Sequence, residues 1–157
     1  MEGKIIIVGA TGYTGSALAK SLKKENIDCH LIGRNEAELQ KLANETGQSY
    51  SVCSNVSDEQ SVNESLSSIA NDKILGFAYC VGSIVLKSFQ TTKTDDFINT
   101  FNLNVLGAIH FIKKLQRQLA ENNGSIVLFS TVAVDRGFNM HSVISSAKGA
   151  VQGLTTS

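Results

Sequence analysis

Proline is absent from all 157 residues, and no low-complexity tract, repeat or linker-like stretch interrupts the chain. Nothing therefore marks a boundary, and residues 1–157 are expected to form one domain. Net charge is missing too: 14 lysines and arginines balance 14 aspartates and glutamates. That balance lacks the electrostatic footprint of a nucleic-acid or anionic-membrane binder, and neither partner is expected. Long apolar runs are also lacking. The longest near the N-terminus, Ile5 to Val8, is far too short for a signal-peptide core or a spanning helix. Cysteine is scarce. Cys29, Cys53 and Cys80 are scattered, form no CxxC and sit in apolar runs. They are expected as small buried side chains rather than metal ligands, which implies no metal and a reduced, cytoplasmic setting.

The residues that are present fit a globular chain, with 42% hydrophobic and 18% charged side chains. Two periods alternate along it. Short β-branched or apolar runs at Lys4–Val8, Cys29–Ile32, Tyr50–Cys53, Ile74–Cys80 and Ser125–Ser130 predict strands buried on both faces of a parallel sheet. Helical spacing separates them. Leu18 and Leu22 form one apolar face, Leu39 and Leu42 another, and Val62, Leu66 and Ile69 a third. Phe97, Phe101 and Val105 make a fourth, and Ile112, Leu115 and Leu119 a fifth. Ser57 and Gln60 have the form of a capping box, and Gly124 is placed to close the helix before the last strand. A further helix is expected from Ser142 to Ser157. About five strands alternating with helices imply a doubly wound α/β sheet.

The first strand runs directly into Gly9-Ala10-Thr11-Gly12-Tyr13-Thr14-Gly15, and a helix comes next. A Cβ at Gly9 would obstruct the tight turn, one at Gly12 would hold a pyrophosphate off the backbone, and one at Gly15 would push the helix from the sheet. The helix N-terminus then offers free N–H groups to an anion. This pattern predicts a Rossmann-type dinucleotide site. After the second strand the chain reads Gly33-Arg34-Asn35, with no acid until Glu36. A carboxylate there would bond the adenine ribose of NAD and repel a 2′-phosphate, whereas arginine's planar fork suits one. NADP is the expected cofactor, and NAD the weaker candidate.

With these features placed, the whole chain resembles the short-chain dehydrogenase/reductase family. Gly9 to Gly15 is similar to its glycine motif, and Arg34 to the arginine of NADP-preferring members. Asn55-Val56 occupies the place of an Asp-Val pair that contacts adenine. Tyr79-Cys80-Val81-Gly82 stands where the family has Asn-Asn-Ala-Gly, with only the glycine kept. Asn104-Val105-Leu106-Gly107 resembles the Asn-Val-x-Gly motif carrying a catalytic asparagine. Ser130-Thr131 resembles the Ser-Ser pair after the fifth strand, and Ala147-Lys148-Gly149 the segment around the catalytic lysine. The resemblance implies catalytic roles for Asn104, Thr131, Ser130 and Lys148. It implies cofactor contacts from Gly9, Thr11, Gly12, Tyr13, Thr14, Gly15, Arg34, Asn35, Asn55, Val56, Gly82 and Lys148. It also implies a small-molecule carbonyl or alcohol substrate and a homodimer or homotetramer.

Two departures bear on activity. The family signature Tyr-x-x-x-Lys, read back from Lys148, falls on Ile144, which has no proton to donate. Counting back 13 residues from 144 reaches Thr131, whose hydroxyl can still bond a carbonyl oxygen. The second departure is length, since family members commonly run to about 250 residues. The 157 residues are therefore expected to be an incomplete functional protein. Two functions stay open: an NADP(H)-dependent oxidoreductase whose proton comes from elsewhere (water, Thr131, Ser130 or His141), and a cofactor-binding sensor or scaffold that is catalytically silent.

Overall fold

The computed structural model describes residues 3–157. Five parallel strands form one sheet in the order β3-β2-β1-β4-β5. They are β1 (Lys4–Val8), β2 (Cys29–Gly33), β3 (Ser49–Val52), β4 (Ile74–Tyr79) and β5 (Ser125–Leu128). Between them lie α1 (Tyr13–Lys24), α2 (Glu36–Thr46), α3 (Glu59–Leu66), α4 (Thr94–Phe101) and α5 (Gly107–Glu121). A short α6 (Ala133–Arg136) and a long α7 (Ser142–Thr156) lie beyond the last strand. The fold is the doubly wound Rossmann type. Its strand order reverses between β1 and β4, so a crevice opens beyond the carboxyl ends of those two strands.

Alternation along the central strands feeds both layers. Ile7, Leu31 and Cys29 pack with Ala19 and Leu22 of α1 and Leu39 and Leu42 of α2. Ile6, Val8, Ile32 and Phe77 face the other way, onto Val62 and Leu66 of α3 and Phe111, Leu115 and Leu119 of α5. Phe77 and Phe111 stack with centroids 5.9 Å apart at the middle of that layer. The edge strands differ from expectation. Ile126 and Val127 of β5 are 42% and 50% exposed, not buried on both faces. β5 pairs with β4 alone among the described residues, and edge strands keep one flank open.

Several local expectations are corrected. Strand β3 runs one residue earlier than expected, β4 ends at Tyr79 and β5 at Leu128, although the Cys53 and Cys80 N–H groups still bond Gly33 O and Val8 O at 2.8 Å. Asp58, not Ser57, caps α3, its carboxylate accepting the Ser61 N–H at 2.8 Å. Gly124 is not the left-handed residue after α5. Asn123 takes that place with φ 51°, and Gly124 N–H bonds Leu119 O at 2.7 Å in a Schellman-type closure. Phe101 is 39% exposed although its spacing puts it on one stripe with Val105. The stripe is broken by a π-helical turn at Asn102–Leu106, which inserts extra backbone and rotates the start of α5 about the helix axis.

One buried histidine links β2 to β3. His30 is 2% exposed, with Nδ1 2.8 Å from Ser49 Oγ and Nε2 2.7 Å from Ser51 Oγ. Burial, and to a lesser degree the charge of Lys4, lowers its pKa to about 4, against a smaller opposing effect of Asp72. The unfolded chain therefore takes up a proton before the folded one does. Stability from a neutral His30 is complete above about pH 6.5 and falls as pH drops toward 4, by about 3 kcal/mol in all. Denaturant titrations from pH 7 to 4 should show this decline, and in His30→Gln the part of it that belongs to this group should vanish.

Candidate functional site

The glycine turn gives the crevice its shape. Gly9 leaves β1 at φ +79°, and a Cβ on it would come within 2.9 Å of the Cys80 carbonyl carbon and the Val81 nitrogen. The turn thus needs glycine both for its backbone angle and for its close approach to the end of β4. Gly15 packs its Cα against the same turn, where a Cβ would lie 2.8 Å from Ala10 Cα. Gly12 is the N-cap of α1 and makes no side-chain cap. The first turn of α1 carries no acidic residue, so its leading N–H groups are free for an anion.

A cavity of about 340 Å³ lies at the strand ends. Gly9, Thr11 and Gly12 form one wall, and Arg34 stands at the end of β2. Val56, Gly82 and Leu103 complete the opposite side, with Cys53 and Cys80 at the floor. Among the described residues no aspartate or glutamate lines it. Arg34 is exposed and makes no ion pair among the described residues, so its guanidinium is available to a ligand. Asn35 is occupied otherwise: it caps α2 by accepting the Glu38 N–H at 3.3 Å. Tyr13 is 93% exposed, and with Thr14 contributes to the α1 terminus through backbone rather than side chain. Asn55 faces a neighbouring polar cavity with Ser57 and Ser83. Its Oδ1 accepts the Ser57 N–H at 3.0 Å, and the second lone pair of that oxygen remains open.

The second cluster surrounds the end of β4. A Cβ built on Gly82 would stand 3.1 Å from Asn104 Oδ1 and 3.8 Å from Lys148 Nζ, so both side chains reach the same stretch of backbone. Asn104 is 1% exposed. Its amide donates to Thr100 O at 2.9 Å, while Oδ1 is buried without a partner among the described residues. Lys148 is half-buried, and burial lowers its pKa. Ser130 Oγ donates to the Lys148 carbonyl at 3.4 Å, tying the end of β5 to α7. Thr131 Oγ1 accepts the Ala133 N–H at 3.3 Å and retains its own proton for another partner. Ile144, one turn before Lys148 on α7, is 5% exposed. His141 is anchored by Nδ1, which lies 2.7 Å from Asn139 O, and its ring meets Phe138 edge-on.

Among the described residues no three histidine, cysteine, aspartate or glutamate side chains cluster as a metal site, and no helix is long and apolar enough to cross a membrane. Cys29 and Cys53 are buried, and all three thiols are free. Hydrophobic periodicity did not show that Cys53, Cys80 and Leu103 would line the cavity. Cys80, one place past the end of β4 at the switch point, carried that signal in its position; Cys53 follows the edge strand β3 and Leu103 lies in the turn before α5, where no such signal exists.

A Rossmann sheet with a glycine turn at its switch point defines a dinucleotide-binding protein. Comparison with known proteins narrows the class. The profile of the short chain dehydrogenases matches residues 3–157, and the chain belongs to that family. It is 28% identical over 160 residues to a tropinone reductase homolog of Arabidopsis thaliana, covering 97% of this chain and 50% of that protein. It is 26% identical to the L-xylulose reductase of Mesocricetus auratus, covering 97% of this chain and 62% of that one. The chain thus spans between half and two thirds of these relatives' length. Among solved structures, a Saccharomyces cerevisiae short chain dehydrogenase/reductase superposes with a TM-score of 0.90 at 17% identity, over 97% of this chain and 62% of that one. An actinorhodin polyketide ketoreductase solved with NADPH gives 0.90 at 17%, over 98% and 62%. At such identity these two speak to the fold alone.

Proposed function

We propose that this chain binds NADP(H) in the crevice and serves an oxidoreductase that interconverts a small carbonyl compound and its alcohol. The observation that carries the reading is the cavity wall: a glycine turn and helix N-terminus beside Arg34, with no carboxylate among the described residues to oppose a 2′-phosphate. Gly9, Thr11, Gly12 and the backbone of Tyr13, Thr14 and Gly15 hold the pyrophosphate. Arg34 takes the 2′-phosphate, and Asn55 and Val56 border the adenine. Asn35 contributes by fixing the start of α2 beside Arg34. Gly82 leaves room for the nicotinamide ribose, which Lys148 bonds. The unpartnered Asn104 Oδ1 fits a polar ligand here, since a buried acceptor left unpaired is costly. When bound, the cofactor supplies the hydride. Thr131 and Ser130 orient the substrate oxygen by hydrogen bonding.

The missing tyrosine limits proton delivery rather than binding. Ile144 is buried on the face that holds Lys148 one turn on, and offers no donor. That observation favours a second reading, a dinucleotide-binding sensor or scaffold without turnover. A homodimer or homotetramer and a cytoplasmic setting belong to the same proposal as family habits. Fluorescence titration of the full-length protein is the direct test. NADPH should bind at least about tenfold more tightly than NADH, the factor of one charge-assisted contact. Equal affinities would remove the NADP assignment, and no binding of either would remove the whole reading.

A further inference from the structure

Tyr79 ends β4 with its ring buried, 6.3 Å from both Phe77 and Phe111. Its hydroxyl leaves this aromatic layer and donates to the Leu103 carbonyl at 2.7 Å. Leu103 lies inside the π-helical turn Asn102–Leu106. In an α-helix the Leu103 carbonyl would receive the Gly107 N–H. Here that N–H goes to Asn102 O, one residue further back. The wide turn therefore deprives the Leu103 carbonyl of its α-helical donor, and the phenol supplies one. Room for the hydroxyl depends on residue 107 being glycine, because a Cβ there would run into Tyr79 Oη and lie 3.0 Å from Val56 Cγ2. Burial raises the phenol's pKa, so it remains a donor at every working pH.

The next residue after Leu103 is Asn104, whose buried Oδ1 faces Gly82 and the Lys148 side chain. Each residue of an α-helix advances about 100° around the axis, so a turn that relaxed from π to α would swing Asn104 off this aim. We infer that Tyr79 is a positioning residue for this cluster: its hydroxyl stabilises the π-helical turn at Leu103 and so keeps Asn104 Oδ1 directed at Gly82 and Lys148. The functional consequence rests on the proposed cofactor reading, but the geometry can be measured without any cofactor.

Tyr79→Phe in the full-length protein keeps the ring and removes only the hydroxyl. In the cofactor-free protein the Asn104 side-chain amide resonance, assigned by its loss in Asn104→Ala, should move. As the turn relaxes, the Gly107 N–H should pass from Asn102 O to Leu103 O, so its amide resonance and its hydrogen-exchange rate should both depart from wild type. Where wild type binds NADPH, its affinity should fall in parallel. Gly107→Ala attacks the same contact with the phenol in place, and it should displace the Asn104 resonance as well, so a poorly folding Tyr79→Phe leaves a second route. A lower melting temperature with the Asn104 resonance and Gly107 exchange at wild-type values would show a packing role alone and overturn the inference. A moved Asn104 resonance in a protein whose wild type binds neither NADPH nor NADH would support the positioning role while removing the cofactor reading.

Discussion

Replacing Arg34 by aspartate is expected to weaken NADPH binding by about two orders of magnitude while leaving NADH binding equal or improved. Hydrogen bonds to a charged partner are worth about 1.5–3 kcal/mol each, or roughly a 10–150-fold change in affinity. The substitution also places a carboxylate where the 2′-phosphate would stand, adding like-charge repulsion to the lost contact. The local structure favours a clean result. Arg34 is exposed, lies one residue past the end of β2 and makes no ion pair among the described residues, so its removal leaves no orphaned charge. Asn35 still caps α2 in the variant, and the helix start should hold. Paired titrations of wild type and Arg34→Asp with NADPH and NADH read the effect as a switch in preference. An unchanged NADPH affinity would mean that the 2′-phosphate lies away from Arg34 or that NADP is not the ligand.

How far these features could be read in advance depended on the kind of signal each leaves in the chain. The runs Lys4–Val8 and Cys29–Ile32 are buried on both faces, so their hydrophobicity is continuous, and both strands sit where expected. The glycine turn was legible because the geometry at Gly9 and Gly15 admits no side chain, which leaves a fixed spacing in the sequence. Ser125–Leu128 has the composition of a central strand, and in these 157 residues it pairs on one side only, with Ile126 and Val127 left exposed. The π-helical turn left no periodic trace. Phe101 and Val105 are four apart, as an α-helical stripe requires, and nothing in their spacing records an extra residue of backbone. Its one sequence correlate is the pair Tyr79 and Gly107, residues far apart in the chain whose complementarity appears only when β4 lies beside α5. His30 was likewise silent, since a histidine in an apolar run gives no hint that two serines of β3 will meet its ring.

Restoring a hydroxyl by Ile144→Tyr is expected to raise carbonyl reduction by at least about tenfold, toward the 10²–10⁴ that a positioned acid contributes. In the wild type, hydride transfer would leave an alkoxide with no tyrosine to protonate it. Proximity and carbonyl polarisation survive through Thr131 and Ser130, so slow turnover is expected rather than none. Residues 144 and 148 are one helical turn apart on α7, on neighbouring positions of one face. A phenol at 144 would therefore lie near the Lys148 ammonium, whose charge favours the phenolate and lowers the phenol's pKa from about 10. The half-buried setting that depresses the Lys148 pKa also weakens screening between the two groups. The risk is steric, because Ile144 is 5% exposed and a larger ring must displace neighbours or enter the crevice. Cofactor titration and thermal melting on the same preparation separate that outcome from the chemistry. Single-turnover oxidation of NADPH with a panel of aldehydes and ketones then measures the step. A folded, NADPH-binding Ile144→Tyr that is no faster than a wild type already as fast as ordinary reductases would show that another group delivers the proton. His141 is the side chain to remove next: Nδ1 donates to Asn139 O, so only the protonated ring could give up a proton from Nε2, and a collapse of the rate in His141→Ala would identify it.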